Sequence, residues 1–379
     1  MAFLLGTDPA RAEYPTDYSD KPSGNWWKSG FPVFYVTDLL QNVEALVGLG
    51  YQDDPRLEEK ALMRNLHDVR AMMEAVGIPG RDAYHLPTSG RTFPDGGHYR
   101  MEISGIERPQ VLAALIDEMH KRQIAIHRLI SVVMGSSLLD DAELHDFAQM
   151  AAAAQLEVIM TPGPRSGWDV GRQLFTPEGG LSGLRFRGSD QLSYVIAEIL
   201  RLVDLGFRGF LAIDEGLLWL LNELRKRGDL PADVTIKVSI FAGHGSAAGG
   251  RVLQSLGAGT FNPLGDLSLP QLASIRQAVD LPLDLHIMLS DSFGGFTRFY
   301  EGAEMARVCS PCYFKIEPGP ALVSGPGALY KPWVSADSLA QFAREKVKYA
   351  QIIHELIQAS QPELKLSPVG SPDLAIPKP

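Results

Sequence analysis

The feature that most restricts this chain is an alternation of element types. Between about residues 97 and 320, short segments rich in β-branched and aromatic residues take turns with amphipathic helical patterns. The expected strands are HYRMEIS (98–104), IAIHRLIS (124–131), EVIMT (157–161), GFLAID (209–214), TIKVSI (235–240), GTFN (259–262), LDLHIML (283–289) and CYFKIE (312–317). Between them, RPQVLAALIDEMHKRQ, DQLSYVIAEILRLVDLG, LPQLASIRQAV and FYEGAEMARV carry apolar residues at helical spacing. Each strand-to-strand step is roughly 20 to 25 residues, with a longer one after the third, the length of a right-handed crossover. Eight such units predict an α/β fold, a (β/α)8 TIM barrel. The rival doubly wound open sheet lacks its G-x-G-x-x-G after the first strand.

The flanks differ. Residues 1–90 read as an N-terminal helical hairpin region: TDLLQNVEALVGLGY has Thr37 as N-cap and Gly50 as stop, and a second helix is expected at about 55–76. The barrel takes 91–330, and 331–379 reads as a C-terminal helix (about 335–359) followed by a Pro-rich tail expected to be disordered.

Composition closes off other classes. Of 379 residues, 45% are hydrophobic and 21% charged, ordinary for a globular protein. The net charge of −10 is spread without blocks, so neither nucleic acid nor a membrane surface is an expected partner. No run approaches the roughly 20 apolar residues of a membrane span, and the short N-terminal apolar run lacks a basic region before it. Two cysteines are too few for a disulfide scaffold, and a reducing cytoplasm is the expectation.

Strand polarity locates a candidate site. A barrel lumen is normally filled by branched apolar residues, yet here several strands turn polar residues inward. The first sets Arg100 and Glu102 against Tyr99, Met101 and Ile103; the fifth sets Lys237 and Ser239 against Ile236, Val238 and Ile240. The seventh offers Asp284 and His286, the eighth Lys315 and Glu317. In the second strand His127 fits the lumen parity, whereas Arg128 needs a bulge. Buried charges must be paired, solvated at the mouth or awaiting a ligand, and such a network offers no stability over apolar packing. Glu102, Asp214, Lys237, Asn262, His286, Lys315 and Glu317 lie in the middle to C-terminal parts of their strands, where barrel enzymes keep their sites. A purely internal salt-bridge network is the competing reading.

Loops add Arg165 and Asp169 in TPGPRSGWDVGRQ as a substrate wall, His244 in the small-residue loop AGHGSAAGG, and a lid in LSDSFGGFTRFYE. With Arg100, Arg128 and Asn262, the residues Arg165, Asp169 and His244 make the expected substrate-binding set. Cys309 and Cys312 form a C-x-x-C on the far, N-terminal side of strand eight. No G-x-S-x-G, H-E-x-x-H or P-loop occurs.

The segments FPDGGHYRMEISGIERPQ, MTPGPRSGWDVGRQ, LPADVTIKVSIF and LDLHIMLSDSFGGFTRFYEGAEMARVCSPCYFKIEPG, in this order, resemble the barrel of the U-32 peptidase family, the collagenase-like peptidases, over about 91–320. In particular they resemble a bacterial branch of it. The resemblance implies a TIM barrel and a hydrolase label. Some members of that family carry an iron–sulfur cluster on four cysteines; with two here, no cluster is expected. The segment FPVFYVTDLLQNVEALVGLGYQDDPRLEEKAL resembles a single prenyltransferase or terpene-cyclase repeat, which without companion repeats implies no such activity and is expected to cover a barrel end or a homo-oligomer contact.

Two chemistries are expected from these residues. Glu102, Asp214 and His286 could hold a divalent metal for hydrolysis of a peptide or small polar substrate. Lys237 and Lys315 would provide positive charge or, for whichever is desolvated, a nucleophilic amine; the alternative chemistry is a Schiff base on Lys237 in a lyase, with Glu102, Asp214 and Glu317 as acids or bases and His286 as proton shuttle. The alternative from another class is a non-catalytic barrel that binds a small molecule or partner.

Overall fold

All eight expected strands form. In a computed structural model, residues 66–106, 108–131, 135–163, 185–289, 295–316 and 335–379 are described; the rest of the N-terminal region, Arg165, Asp169 and Glu317 lie outside them. The strands are β1 (Tyr99–Ser104), β2 (Arg128–Ile130), β3 (Glu157–Met160), β4 (Gly209–Ala212), β5 (Thr235–Val238), β6 (Thr260–Phe261), β7 (Leu283–Leu289) and, after a short extra strand β8 (Phe296–Thr297), β9 (Cys312–Ile316). From β1 to β7 each pairs in parallel with the next, and β9 pairs in parallel with both β7 and β1. That closes the barrel. β8 folds back antiparallel onto Met288 and Leu289, inside the segment expected to be a lid.

Helices α1 (Leu66–Ala75), α2 (Pro109–Arg122), α3 (Asp141–Ala153), α4 (Gly188–Asp204), α5 (Glu215–Arg227), α6 (Ala247–Ser255), α7 (Leu269–Ala278), α8 (Gly302–Cys309) and α9 (Ala336–Ser360) are set by local chemistry. α3 starts in a capping box, with Asp140 and Glu143 each accepting the other's backbone N–H. α5 starts on the Asp214 carboxylate and stops at Gly228, whose φ of 86° suits glycine. The apolar faces of these helices pack on the outward strand residues, so the main core lies between barrel and helices. Ile130, Ile159 and Leu211 form a separate cluster, in the lumen. α9 lies along α2 through Ala343, Val347, Ala350 and Ile353, small and branched residues that let the two helices approach. No described helix is long and apolar enough to cross a membrane.

The Pro-rich tail corrects an expectation of disorder. It crosses the N-terminal ends of the strands, with Leu364, Ser367, Ser371, Leu374 and Ala375 buried. Its backbone satisfies groups that the strand ends leave open: His98 N–H donates to Lys365 O (2.7 Å), Ser367 N–H to Tyr99 O (3.1 Å) and Lys378 N–H to Gly206 O (2.8 Å). Proline lowers what ordering such a segment costs, and Leu364, Leu366, Leu374 and Ile376 give it apolar surface to bury.

Candidate active site

Strand register builds the lumen in tiers. Parallel partners in register point to the same face, and Glu102 is level with both Arg128 on β2 and Lys315 on β9, while His286 on β7 is level with Lys315. Arg128 therefore points inward. This settles the open parity of the second strand: His127, preceding β2, accepts Met101 N–H at Nδ1 and donates from Nε2 to Ser367 O at 2.8 Å. Burial brings His127 down to about 4, so it stays neutral.

The lowest tier belongs to Arg100. Its guanidinium lies 3.8 Å over the Phe93 ring and is ion-paired to Asp373 at 2.8 Å and Asp95 at 2.8 Å, with further bonds to Ser367 Oγ and the Tyr313 hydroxyl. Expected to bind substrate, Arg100 is instead consumed in seating the tail, at the end of the barrel away from the mouth.

Above it, Arg128 Nε meets Glu157 Oε2 at 2.6 Å, and its NH1 reaches Asp284 Oδ1 at 2.9 Å and Glu102 Oε2 at 3.2 Å. Its Cζ stacks 3.6 Å over Tyr313, whose hydroxyl donates to Glu157. Lys237 Nζ sits 3.0 Å from Glu102 Oε2 and 2.5 Å from Asp284 Oδ2. Glu102, Lys237 and Asp284 are each 0% exposed. Burial alone would raise the Glu102 carboxyl, but Lys237, Lys315 and Arg128 hold it at about 2.

Lys315 is held differently. Its Nζ is 3.4 Å from Asn262 Oδ1 and 3.6 Å from Glu102 Oε1, both long contacts, and the residue is 7% exposed. Asn262 is fixed by donating to Asp284 O at 2.6 Å, which turns its amide oxygen toward the amine. Burial lowers Lys315, Glu102 opposes this and Lys237 adds to it, bringing the amine from 10.5 to about 8. Beside it, burial and Lys315 push His286 well below its usual range, and its Nδ1 is buried without a hydrogen-bond partner among the described residues. Ile130, Ile159 and Leu211 face this charged side from β2, β3 and β4.

The remaining expected residues lie apart. Asp214 accepts Leu217 N–H and Phe186 N–H, one on each oxygen, so it caps α5 and does not enter the lumen cluster. Next to it, Glu215 takes the Arg185 guanidinium and His244 Nε2 at 2.6 Å, tying three loops on the C-terminal side. Burial raises Glu215, yet the bonds from Arg185 and His244 hold it at about 2. Glu157, Glu215, Tyr313 and Thr260, whose hydroxyl accepts from Arg128 NH1 at 3.2 Å, carry no signal in the sequence pattern. Asp284 was visible as an inward residue but not as a partner of Lys237 and Arg128.

The residues do not fit the metal expected on Glu102, Asp214 and His286. Asp214 is spent on backbone, Glu102 faces cations, and among the described residues no three His, Cys, Asp or Glu side chains gather as a metal site. Burial pushes the Cys309 thiol up to about 12 and Cys312 well above its usual range, which keeps both protonated.

No family model matches the chain, and no curated protein matches it in sequence. Solved structures share the barrel. They include the YdjI aldolase of Escherichia coli K12 (12% identity, TM-score 0.41, covering 70% of this chain and 94% of that one) and 2,3-dimethylmalate lyase (13%, 0.37, 67% and 94%). A U32 peptidase is also among them (17%, 0.32, 52% and 72%). The class defined by strand order and closure is the (β/α)8 barrel. At such similarity the reaction has to be read from the residues themselves.

Proposed function

We propose that the protein is a barrel lyase that acts on a small carbonyl compound through a Schiff base on Lys315. The observation that carries this is the condition of that amine: loosely held, on the solvent side of the lumen, and brought down to about 8. Lys237 is clamped between two carboxylates and would have to break both contacts to react. An amine must shed its proton before attacking a carbonyl carbon, and a lysine near 8 does so at working pH.

The neutral Nζ forms the new C–N bond; the carbonyl oxygen takes up protons and leaves as water. The resulting iminium accepts, as an enamine, the electron pair of the Cα–Cβ bond as it breaks; the β-hydroxyl gives up its proton and that carbon leaves as an aldehyde. The enamine is then protonated at Cα, and water releases the second product from the amine. His286, neutral and with Nδ1 unpartnered, would carry protons between substrate and solvent. Ile130, Ile159 and Leu211 would seat the carbon skeleton.

Peptide hydrolysis has less support. Glu102 is held as a carboxylate by three cations, which makes it a weak base. A specific observation favours an internal salt-bridge network for the tier beneath Lys315: Arg128 and Lys237 are paired among Glu102, Glu157 and Asp284.

The test is borohydride reduction after incubation with pyruvate, glyceraldehyde or dihydroxyacetone, with the adduct located by peptide mass spectrometry. The expected adduct is on Lys315, forms faster as pH rises with a midpoint near 8, and disappears in Lys315→Met. Labelling confined to surface lysines with all three compounds would reject the proposal.

A further inference from the structure

The closed end of the barrel holds a cavity unrelated to the lumen amine. Where the tail passes beneath β4 and β5 it leaves a cleft of about 490 Å³, walled by Arg208, Arg225 and Asp233 on the barrel side and by Asp373 and Lys378 from the tail. Its positive charge is not fully answered. Asp373 is committed to Arg100 through both oxygens. Asp233 serves two cations, Lys378 and, at 3.4 Å, Arg208. The latter contact is to the Arg208 Nε and falls short of a hydrogen bond, while Arg208 NH1 is anchored to the carbonyls of Val203 and Phe207.

Arg225 meets no carboxylate among the described residues. It is held by the carbonyls of Val234 (2.6 Å) and Gly257 (3.3 Å) and by Asn222 Oδ1 (2.8 Å), so three of its five N–H donors are used and the guanidinium is fixed in place. Both Nη2 hydrogens and one on Nη1 are taken, so Nε–H and one Nη1–H remain, on different edges, each able to donate to one oxygen of a carboxylate or phosphate. The volume lies within the range of small-molecule sites, about 300–1,000 Å³, and a bare inorganic ion would leave most of it unfilled.

We infer that this cleft binds a small organic anion, with Arg225 and Arg208 as the receptor and the tail as its outer wall. A ligand here holds the tail against the barrel. Through Asp373 on Arg100 and the Ala375 N–H on Glu157, that contact reaches the lower lumen tiers.

Calorimetric titration of the full chain with succinate, ribose 5-phosphate and inorganic phosphate, at constant ionic strength in chloride, tests the site without using any catalytic reaction. One of the two organic anions is expected to bind one to one. Arg225→Gln should weaken it about tenfold or more, the factor for a lost charge-assisted hydrogen bond. Ala232→Trp, at the rim, fills the cleft while leaving every charge in place, and should abolish binding; circular-dichroism melts confirm that both variants fold. Hydrogen exchange at Ser371–Lys378 should slow on binding. No binding by either organic anion, preference for inorganic phosphate alone, or binding that survives Ala232→Trp overturns the inference.

Discussion

Replacing Lys237 by methionine removes the amine lodged between Glu102 and Asp284 with little change in volume. The lumen then holds two cations, Arg128 and Lys315, against three carboxylates, Glu102, Glu157 and Asp284. At 3.0 and 2.5 Å, with an effective dielectric of about 20, the two lost attractions amount to about 5.5 and 6.6 kcal/mol. Repulsion from Arg128 and Lys315 and the lost hydration of the amine offset most of that, leaving a net cost of about 3–5 kcal/mol for stranding buried carboxylates. Asp284→Asn in the same chain restores two cations against two carboxylates. The double variant should therefore lose less than the sum of the single variants, with a coupling of about 2 kcal/mol or more. Urea unfolding followed by far-ultraviolet circular dichroism measures all three. Additivity to within about 0.5 kcal/mol would refute the reasoning, because it would mean that the charges do not sense one another.

Other outcomes follow from the same geometry. Asp214→Ala should cost about 1 kcal/mol through the lost cap of α5 and leave the Lys315 adduct intact, as read by unfolding and trapping together. His127 is protonated near 6.5 in the unfolded chain but only near 4 in the fold, so the unfolded state binds the extra proton between those values. Stability therefore falls as pH drops from 6.5 through 4, by about 3 kcal/mol from this group, and His127→Asn should flatten that slope in urea titrations. Truncation after Gln361 strips Asp373 and Ser367 from Arg100; the urea midpoint should fall, and Arg100→Met in the truncated chain should recover part of the loss.

Strand positions and the inward set Glu102, Lys237, Asp284, His286 and Lys315 were legible because a two-residue alternation survives any detail of packing. Arg128 was not, since an irregular entry to β2 gives His127 to the backbone and tail and breaks the count. Glu157 was hidden because its inward neighbour on β3, Ile159, is apolar. Asp214 carries a readable signal of a different role, an aspartate directly before a helical pattern, which is an N-cap and not a charge at the mouth. Arg100 shares the parity of Glu102; parity names the face, and height along the strand separates floor from site. In the tail, proline content argues for disorder only when nothing waits to be covered. Here strand ends and an arginine wait.

That order of waiting has a consequence for synthesis. Arg100 lies on the first strand and His127 just before the second, while Asp373 and Ser367 come after every barrel strand. The 57 residues from Ile316 to Asp373 take roughly 3 to 11 seconds to make at 5–20 residues per second. Through that interval a nascent barrel has all its staves and no base, its lower arginine still hydrated. It is then that a chaperone or a protease would find it open.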